Sequence, residues 1–253
     1  MERSIPIKSK EELELLRQAG KILASIIAEL KGSLKIGMTG CQVNERAEEL
    51  IIQRQATPAF KGYRGFPSSA CISFNHEVVH GIPSDRVIKD GDLVSIDIGI
   101  VYKNYFSDTA FTVGFGKISP VKEKLLNIAE SALYKGIAQA LVGNRLYDIS
   151  ASIQNFVEAN HFSVVRDFVG HGIGRKLHED PEVPNYGTAH SGPLLKEGMV
   201  LAIEPMVNIG TWETQVLSDG WTVVTKDGKP SAHFEHTIAI TPSGPEILTE
   251  LAV

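Results

Sequence analysis

Apolar residues recur with helical spacing in the first part of the chain. Ser9 and Glu12 form a capping box, in which each side chain accepts from a backbone N–H at a helix start. The apolar positions that follow are Leu13, Leu16, Ile22, Leu23, Ile26, Ile27 and Leu30. This spacing predicts one long amphipathic helix. A second helix is predicted after Met38-Thr39, with its end near Gln55 and apolar positions at Val43, Ala47, Leu50 and Ile51.

A strand that ends in an acid follows, and the same order of elements recurs later in the chain. Gly91-Asp92 predicts a turn that leads into a strand ending at Asp97. The second half repeats this order in a helix from Ser119-Pro120 to about Leu141, a helix from Tyr147 to about Ala159 and a strand, Met199–Ile203, that ends at Glu204. Proline at the first helical position supports the start of the first of these helices.

This repetition predicts the fold class. Two helices followed by a strand that ends in an acid, present twice, indicate a duplicated α+β unit with pseudo-twofold symmetry and a site between the halves. No Pro/Gly/Ser-rich linker separates the halves. We therefore expect one catalytic domain over residues 1–253 rather than two domains.

Two acids are predicted to lie close together in a hairpin that turns at Lys103-Asn104, since β-branched residues flank this short polar loop. Asp97 then pairs with Ala110, and Asp108 pairs with Gly99. Their Cβ atoms are diagonal neighbours roughly 7–8 Å apart or somewhat less, on one face. This suits two cations about 3.5–4 Å apart, and we expect Gly99 to leave room for them. Without a cation, the two carboxylates would repel each other.

The second half offers matching ligands. Glu204 ends its strand, and Glu235 lies in a predicted strand, 232–240, after a hairpin turn at Asp227-Gly228. His171 lies between two glycines, where we expect a turn that lets backbone approach a ligand. The candidate metal ligands are therefore Asp97, Asp108, His171, Glu204 and Glu235. Four carboxylates and one imidazole suit two divalent ions of manganese, iron, cobalt or zinc at a hydrolytic centre.

The segment His76–His80 matches HExxH, the signature of a family of helical zinc peptidases. That signature binds zinc only when a helix places both histidines on one face. Here Val78 and Val79 are β-branched, and Gly81-Ile82-Pro83 follows at once. We therefore expect no helix, and His76 is assigned no role.

The composition excludes other classes of protein. The chain has 253 residues and a net charge of -5, with no Lys/Arg block of the kind that nucleic-acid binding requires. No stretch approaches the roughly 20 apolar residues of a membrane span, and the first residues lack the apolar run of a signal peptide. We therefore expect a cytoplasmic protein. Cys41 and Cys71 form no CxxC pair, and both are expected to be reduced thiols.

The motifs together resemble those of the type I, bacterial-type methionine aminopeptidases, essentially from end to end. The matching segments are Cys71-Ile72-Ser73, His80-Gly81-Ile82-Pro83, Asp92–Asp97, Ser107-Asp108-Thr109, Gly170–Gly174, Ile203–Met206 and Phe234–Thr237. The resemblance implies the pita-bread fold and removal of the initiator methionine from nascent proteins whose second residue is small. It implies that a hydroxide bridging two cations attacks the scissile carbonyl. Nascent N-termini near the ribosome would be the partners of a monomeric enzyme.

The resemblance also implies a role for each metal ligand. Asp108 and Glu235 would bridge the two cations, and Asp97 would chelate one of them. His171 and Glu204 would complete the shell of the other. Glu204 would also take and return a proton during hydrolysis.

Further residues are implied to bind the substrate. His178 would stabilise the oxyanion, and His80 would hydrogen-bond the substrate backbone beyond the cleaved bond. The methionine pocket would include Tyr63, Phe66, Cys71 and Trp221, with Phe60 and Leu177 at its edge. Some bacterial relatives carry a smaller cysteine in place of Phe60 and an aromatic residue in place of Leu177. The width of this pocket is therefore left open.

Two other functions remain as alternatives. Xaa-Pro peptidases share the fold and the metal shell, but they usually carry a substantial extra N-terminal domain. Non-catalytic binding proteins on the same fold lose metal ligands, whereas all five are present here. The interval from Glu204 to Glu235 is too short for the helical insertion of type II enzymes. Because Glu2 is not small, the resemblance also implies that the enzyme leaves its own Met1 in place.

Overall fold

The helices of the two halves follow the predicted order in the computed structural model, which describes residues 4–251. They are α1 (Lys10–Ser33), α2 (Gly40–Gln53), α3 (Pro120–Ile137) and α4 (Leu146–Ala159), with a short 3-10 helix at Tyr63–Gly65. None of the described helices is both long and apolar enough to span a membrane. The expectation for Met1 and Glu2 lies outside the described residues.

The ends of the helices follow from local hydrogen bonding. Ser9 and Glu12 form the predicted capping box at α1, and Thr39 forms a second capping box at α2. α3 ends at Ile137, short of the predicted end near Leu141. Its last turn tightens, because the N–H groups of residues 139 and 140 donate to carbonyls three residues back.

Three sheets contain the described strands. The strands are β1 (Thr57–Pro58), β2 (Cys71–Phe74), β3 (Glu77–Val79), β4 (Leu93–Tyr102), β5 (Tyr105–Gly114), β6 (Ser163–Val164), β7 (Gly170–Gly172), β8 (Glu179–Val183), β9 (Val200–Ile203), β10 (Met206–Asn208), β11 (Thr214–Val216), β12 (Val223–Thr225), β13 (Ser231–His233), β14 (Glu235–Thr241) and β15 (Gly244–Ile247). The large sheet has the order β1-β4-β5-β14-β9-β7-β8, with β2 paired to β4 and β15 paired to β14. The small sheets are β13-β10-β6 and β11-β12-β3.

The predicted hairpin is confirmed in its turn and its register. Lys103 and Asn104 both have positive φ, of 48° and 65°, which matches the tight two-residue turns of twisted hairpins. Asp97 pairs with Ala110, and Gly99 pairs with Asp108. The two acids therefore lie on the same face of the large sheet.

The two faces of β4 have different environments. Ile96, Ile98 and Ile100 are fully buried in the main hydrophobic core, together with apolar residues from all four helices. Asp97, between the first two of these, points to the opposite face because side chains alternate along a strand. The helices therefore cover one face of the large sheet, and the candidate metal ligand lies on the other face.

Strands from both halves join in the large sheet. β14 of the second half pairs with β5 of the first half, with Glu235 opposite Ala110. β14 also pairs with β9, which in turn pairs with β7 through His171 and Ala202. The duplicated α+β arrangement is thus built around one continuous sheet that carries acids from both halves.

Two predictions about strands of the second half are wrong in detail. The predicted strand 232–240 is two strands, because β13 pairs with β10 in a small sheet whereas β14 belongs to the large one. The interruption lies opposite Pro205, which has no N–H to continue the ladder. Asp227-Gly228 does form a turn, but β12 and β13 on either side pair with other strands, so there is no hairpin.

His171 lies in β7 rather than in a turn. A Cβ on either flanking glycine would collide with a backbone carbonyl, at Ala202 for Gly170 and at Asp180 for Gly172. The glycines therefore permit close strand packing and do not supply a turn. The HExxH segment is not helical, as expected, because residues 77–79 form β3.

Candidate metal centre

The strand register brings the five candidate ligands to one face. Asp97 on β4 and Asp108 on β5 come from the first hairpin. Glu235 begins β14, His171 lies on β7, and Glu204 follows β9 directly. Ligand atoms of Asp108, His171 and Glu235 lie within 4.8 Å of one another. His171 Nε2 is 3.6 Å from a Glu204 carboxylate oxygen, so Glu204 joins the same cluster.

Part of this acid cluster has no hydrogen-bond partner among the described residues. Asp97, Asp108 and Glu235 are buried, and each has one carboxylate oxygen without a hydrogen-bond partner. Buried oxygens of this kind are costly unless a cation or a proton satisfies them. The donor set of four carboxylates and one imidazole therefore fits divalent cations, as the sequence predicts.

The pKa values of the four acids also show that their charged forms are unfavourable where they lie. Burial raises the pKa of Asp97 well above its usual range, and the neighbouring charges of Asp108 and Glu204 raise it further. Burial also raises the pKa of Asp108 to about 7. The pKa values of Glu204 and Glu235 are likewise well above normal, first through burial and then through repulsion by Asp108. Bound cations would remove these protons and hold the carboxylates ionised.

The orientation of His171 suits a metal ligand. Its Nδ1 is 2.9 Å from the Gly172 carbonyl, which can only accept, so Nδ1 carries the proton. The lone pair of Nε2 is then directed to the acids. Burial lowers the pKa of His171 to about 3, so the ring stays neutral and able to coordinate.

Two threonines connect the strands that carry Asp108 and Glu235. The Thr109 hydroxyl donates to the Glu235 carbonyl at 2.6 Å. The Thr237 hydroxyl donates to the Asp108 carbonyl at 2.7 Å. These reciprocal bonds hold β5 and β14 together at the rungs that carry the acids.

A cavity of ≈ 150 Å³ opens beside the acids and contains all the predicted site residues. Its lining is Phe60, Tyr63, Arg64, Phe66, Cys71, Val79, His80, Asp97, Asp108, His171, Leu177, His178, Glu204, Trp221 and Glu235. Phe66 and Trp221 meet edge to face, with ring centroids 5.2 Å apart. The cavity thus has a charged end and an apolar, largely aromatic end.

The two histidines predicted to bind substrate both line the cavity and have different neighbours. The His178 ring lies 4.3 Å from that of His171, and its Nδ1 is 2.8 Å from the Tyr63 hydroxyl. Partial burial in the cavity wall lowers the pKa of His178, and the nearby positive charge of Arg64 lowers it further. His80 contacts the Trp221 ring edge-on, with centroids 6.4 Å apart, and burial lowers its pKa to about 4.

The expectation for Gly99 is wrong. A Cβ there would lie 2.6 Å from the Phe60 ring and 3.1 Å from Ala59. Gly99 therefore leaves room for Phe60, a pocket residue, rather than for cations. The space at this rung is used by the apolar end of the cavity.

His233 is a site residue that the sequence analysis did not find. It is buried, and its Nε2 lies 3.6 Å from the second carboxylate oxygen of Glu204. Burial lowers its pKa to about 3, so the ring is neutral. The sequence could have indicated this residue, because His233 lies two residues before Glu235 and side chains two apart share a face along extended backbone.

A buried acid cluster at one end of an open cavity whose other end is apolar is typical of a metal-dependent hydrolase. The model of metallopeptidase family M24 matches residues 14–242, and the chain belongs to that family. It is similar to the methionine aminopeptidase of Clostridium perfringens, with 57% identity over 97% of this chain and 98% of the relative.

Solved structures agree with the fold. The crystal structure of a methionine aminopeptidase from Thermotoga maritima has a TM-score of 0.96 and 45% identity, covering 98% of this chain and 100% of that one. The prolidase from Pyrococcus furiosus has a TM-score of 0.77 and 26% identity, covering 98% of this chain but 66% of that one. These neighbours confirm the pita-bread fold expected from the sequence.

Proposed function

We propose that the chain removes the initiator methionine from nascent polypeptides whose second residue is small. One observation carries this proposal: buried carboxylates with unpartnered oxygens lie at one end of a cavity whose other end is apolar and aromatic. The high identity to methionine aminopeptidases over nearly the whole chain supports it. Residues 1–253 would form a single catalytic domain, and the family match over 14–242 supports this.

The ligand roles follow the resemblance and suit the positions of the side chains. Asp108 and Glu235 would bridge two divalent cations, and Asp97 would complete the shell of one. His171 and Glu204 would complete the shell of the other, since they lie 3.6 Å apart. The cations would supply Lewis-acid chemistry, by lowering the pKa of water and polarising the scissile carbonyl.

Three side chains would handle protons and charge during hydrolysis. Glu204 would accept a proton from water and return it to the leaving amine, because it lies at the boundary of the acid cluster and the cavity. His178 is neutral, because its pKa is lowered to about 4. The Tyr63 hydroxyl, 2.8 Å from its Nδ1, would donate to that nitrogen and leave the proton on Nε2. That N–H would donate to the oxyanion. His80 would hydrogen-bond the substrate backbone.

The apolar end of the cavity suits a methionine side chain. Phe60, Tyr63, Phe66, Leu177 and Trp221 supply apolar and aromatic surface, and thioethers interact favourably with aromatic rings. Cys71 adds a second polarisable sulfur atom. Burial raises the pKa of this thiol well above its usual range, so it stays neutral and packs as a small apolar group.

The substrates would be the N-termini of nascent chains in the cytoplasm, near the ribosome, and the enzyme would act as a monomer. The net charge of -5 does not favour a general interaction with nucleic acid. Access to nascent chains would therefore depend on the cavity and on local contacts.

A paired peptidase assay tests the proposal. Purified protein with added divalent metal should cleave Met-Ala-Ser and leave Ala-Pro peptides intact. Cleavage of Ala-Pro alone would favour an Xaa-Pro peptidase, and cleavage of neither peptide would favour a binding protein on this fold.

The identity of the metal needs a separate experiment. Metal content would be measured in protein purified without chelator. Chelated protein would then be reconstituted with manganese, iron, cobalt or zinc alone. Two bound ions for each active chain would support the proposed centre, and full activity without any metal would contradict it.

A further inference from the structure

The segment that carries His178 is held by a buried ion pair outside the proposed catalytic residues. Lys8 precedes α1, and Glu179 begins β8, directly after His178. The Lys8 ammonium donates to the Glu179 carboxylate, and the two side chains are only 5% and 9% exposed. Removing one partner from such a pair leaves the other charge buried and unpaired.

Glu179 also closes the segment on itself. Its second carboxylate oxygen accepts from the backbone N–H of Arg175 at 2.8 Å and from that of Lys176 at 3.1 Å. A carboxylate that binds two N–H groups and an ammonium fixes the path of residues 175–179. Leu177 and His178, which line the cavity, lie within that path.

The start of the segment, at Gly174 and Arg175, is held by hydrogen bonds and close packing. The Phe106 N–H donates to the Gly174 carbonyl at 2.8 Å, two residues from Asp108 on β5. A Cβ at Gly174 would lie 2.6 Å from the Lys8 ammonium nitrogen, so the backbone packs directly on the Lys8 side chain. The Arg175 side chain donates to Glu12 at 3.1 Å.

Lys8 is itself held in place by the backbone. Its N–H donates to the Gly198 carbonyl at 2.8 Å, just before β9. A Cβ at Gly198 would lie 2.8 Å from the Lys8 carbonyl, so the two segments are in close contact. Lys8 therefore connects the entry of α1 with the segment that follows β7.

We propose that Lys8, through Glu179, is a positioning residue that holds His178 in its place beside the acid cluster. The Lys8 ammonium does not line the cavity, so we expect it to make no contact with substrate. It keeps the Glu179 carboxylate turned inward, where that carboxylate binds the backbone of the segment. This inference rests on the proposed function, because it assigns Lys8 an effect on hydrolysis.

Lys8→Met is the first test, since methionine keeps the apolar stem and removes the charge. The freed Glu179 carboxylate should turn to solvent and release the segment. We expect kcat for Met-Ala-Ser to fall roughly tenfold to a hundredfold, the range of small displacements in a site, with metal content unchanged. Lys8→Met/Glu179→Gln should recover much of this loss, because the amide can still accept from both N–H groups.

A double-mutant cycle separates positioning from a general structural effect. If Lys8 acts through His178, Lys8→Met should cost little further activity in a His178→Ala background. Equal losses in both backgrounds would overturn the inference, and so would wild-type kcat in Lys8→Met. If Lys8→Met does not fold, Glu179→Gln replaces it in the same cycle. We expect this variant to lose less kcat, and the loss should again disappear in the His178→Ala background.

Arg17→Met is the matched control. Arg17, within α1, forms an ion pair with Glu246 at 2.7 Å, but these side chains are 30% and 37% exposed and neither lines the cavity. Its loss should leave kcat unchanged. If wild-type protein and Arg17→Met both fail to cleave Met-Ala-Ser, the proposed function has failed; if both cleave it and Lys8→Met does so equally well, only the inference about Lys8 has failed.

Discussion

At the scale of single residues, the acid cluster is a source of instability that a ligand must offset. Asp97, Asp108 and Glu235 are buried with unpartnered oxygens, and their pKa values are raised by burial. A side chain selected for stability alone would not be an acid at these positions. The cost of burying these residues is consistent with the proposed metal binding, because a bound cation would offset it.

The bridging acids provide the first prediction. Asp108→Ala or Glu235→Ala should abolish hydrolysis of Met-Ala-Ser, because the remaining ligands would not hold both cations. Metal content and turnover would be measured together, with Glu45→Ala, an exposed acid on α2, as the control. Turnover above about a tenth of wild type with excess metal would refute the bridging assignment.

His178 provides the second prediction. His178→Ala should keep its metal and lose rate, at a cost of about 3 kcal/mol in the barrier for an oxyanion donor. The measurement is kcat at saturating substrate, beside the metal content. His76→Ala is the control, because His76 is assigned no role. Unchanged kcat would show that His178 does not stabilise the transition state.

At the scale of elements, α1 contains two glycines with opposite surroundings. Gly20 lies against the backbone of Leu248, with which an added Cβ would collide. Gly32, near the end of the same helix, has no atom within 4 Å of an added Cβ. The helix therefore needs a glycine at the first position for close packing, whereas the second only costs helix propensity.

These surroundings predict that replacing glycine by alanine changes the stability of the protein in opposite directions at the two positions. Gly20→Ala should destabilise the protein by about 2 kcal/mol, through overpacking against backbone that cannot move aside. Gly32→Ala should stabilise it by roughly 0.5–1 kcal/mol. Denaturant midpoints of both variants would be compared with wild type. Equal shifts would show that the close approach of α1 to Leu248 does not limit substitution.

Features decided within one local segment could be predicted from the sequence. The hairpin of β4 and β5 depends on its own turn and on the alternation of side chains along its strands. The register of Asp97 and Asp108 could therefore be predicted from the sequence. The capping box at Ser9 and the failure of the HExxH segment to form a helix depend on equally local signals. The five candidate ligands follow from the same motifs and meet in one cavity.

Features decided by a distant segment could not be predicted. The interruption between β13 and β14 is set by Pro205 on a neighbouring strand, and the need for Gly99 is set by the Phe60 ring. His171 lies in a strand because its flanking glycines pack against carbonyls of β8 and β9. In each case the contact is made with a separate strand or loop, so the local pattern of apolar and polar residues does not report it.

At the scale of the whole molecule, the acid cluster makes stability depend on pH. Carboxyl groups with raised pKa values bind protons in the folded protein that the unfolded chain has already released. The contribution of these carboxyl groups to the free energy of unfolding of chelated protein should therefore fall as the pH rises from the usual carboxyl range through about 7, the pKa of Asp108. Buried neutral histidines such as His171 and His233 oppose this trend below about pH 7, because the unfolded chain protonates its histidines there and the folded protein does not. Cation binding should reverse this trend, because cations replace the protons.

Thermal melts test this prediction directly. The Tm of chelated protein should be lower at about pH 8.5 than at about pH 7, an interval in which the histidines are largely neutral in the folded and the unfolded chain. Added Mn²⁺ should raise the Tm more at the higher pH. Asp108→Asn should weaken the pH dependence, since it removes one titrating group. A Tm of chelated protein that rises over this interval would contradict the raised pKa values.

The joining of β5 to β14 also determines when the proposed metal centre can first form. The proposed ligands extend from Asp97 to Glu235, and no shorter stretch of chain contains them all. Pairing across such sequence separations forms slowly, and only after its last strand has been synthesised. A copy still emerging from the ribosome therefore has no complete centre until β14 is available. The proposed removal of methionine from nascent chains would therefore begin only after the enzyme's own chain has been synthesised through β14.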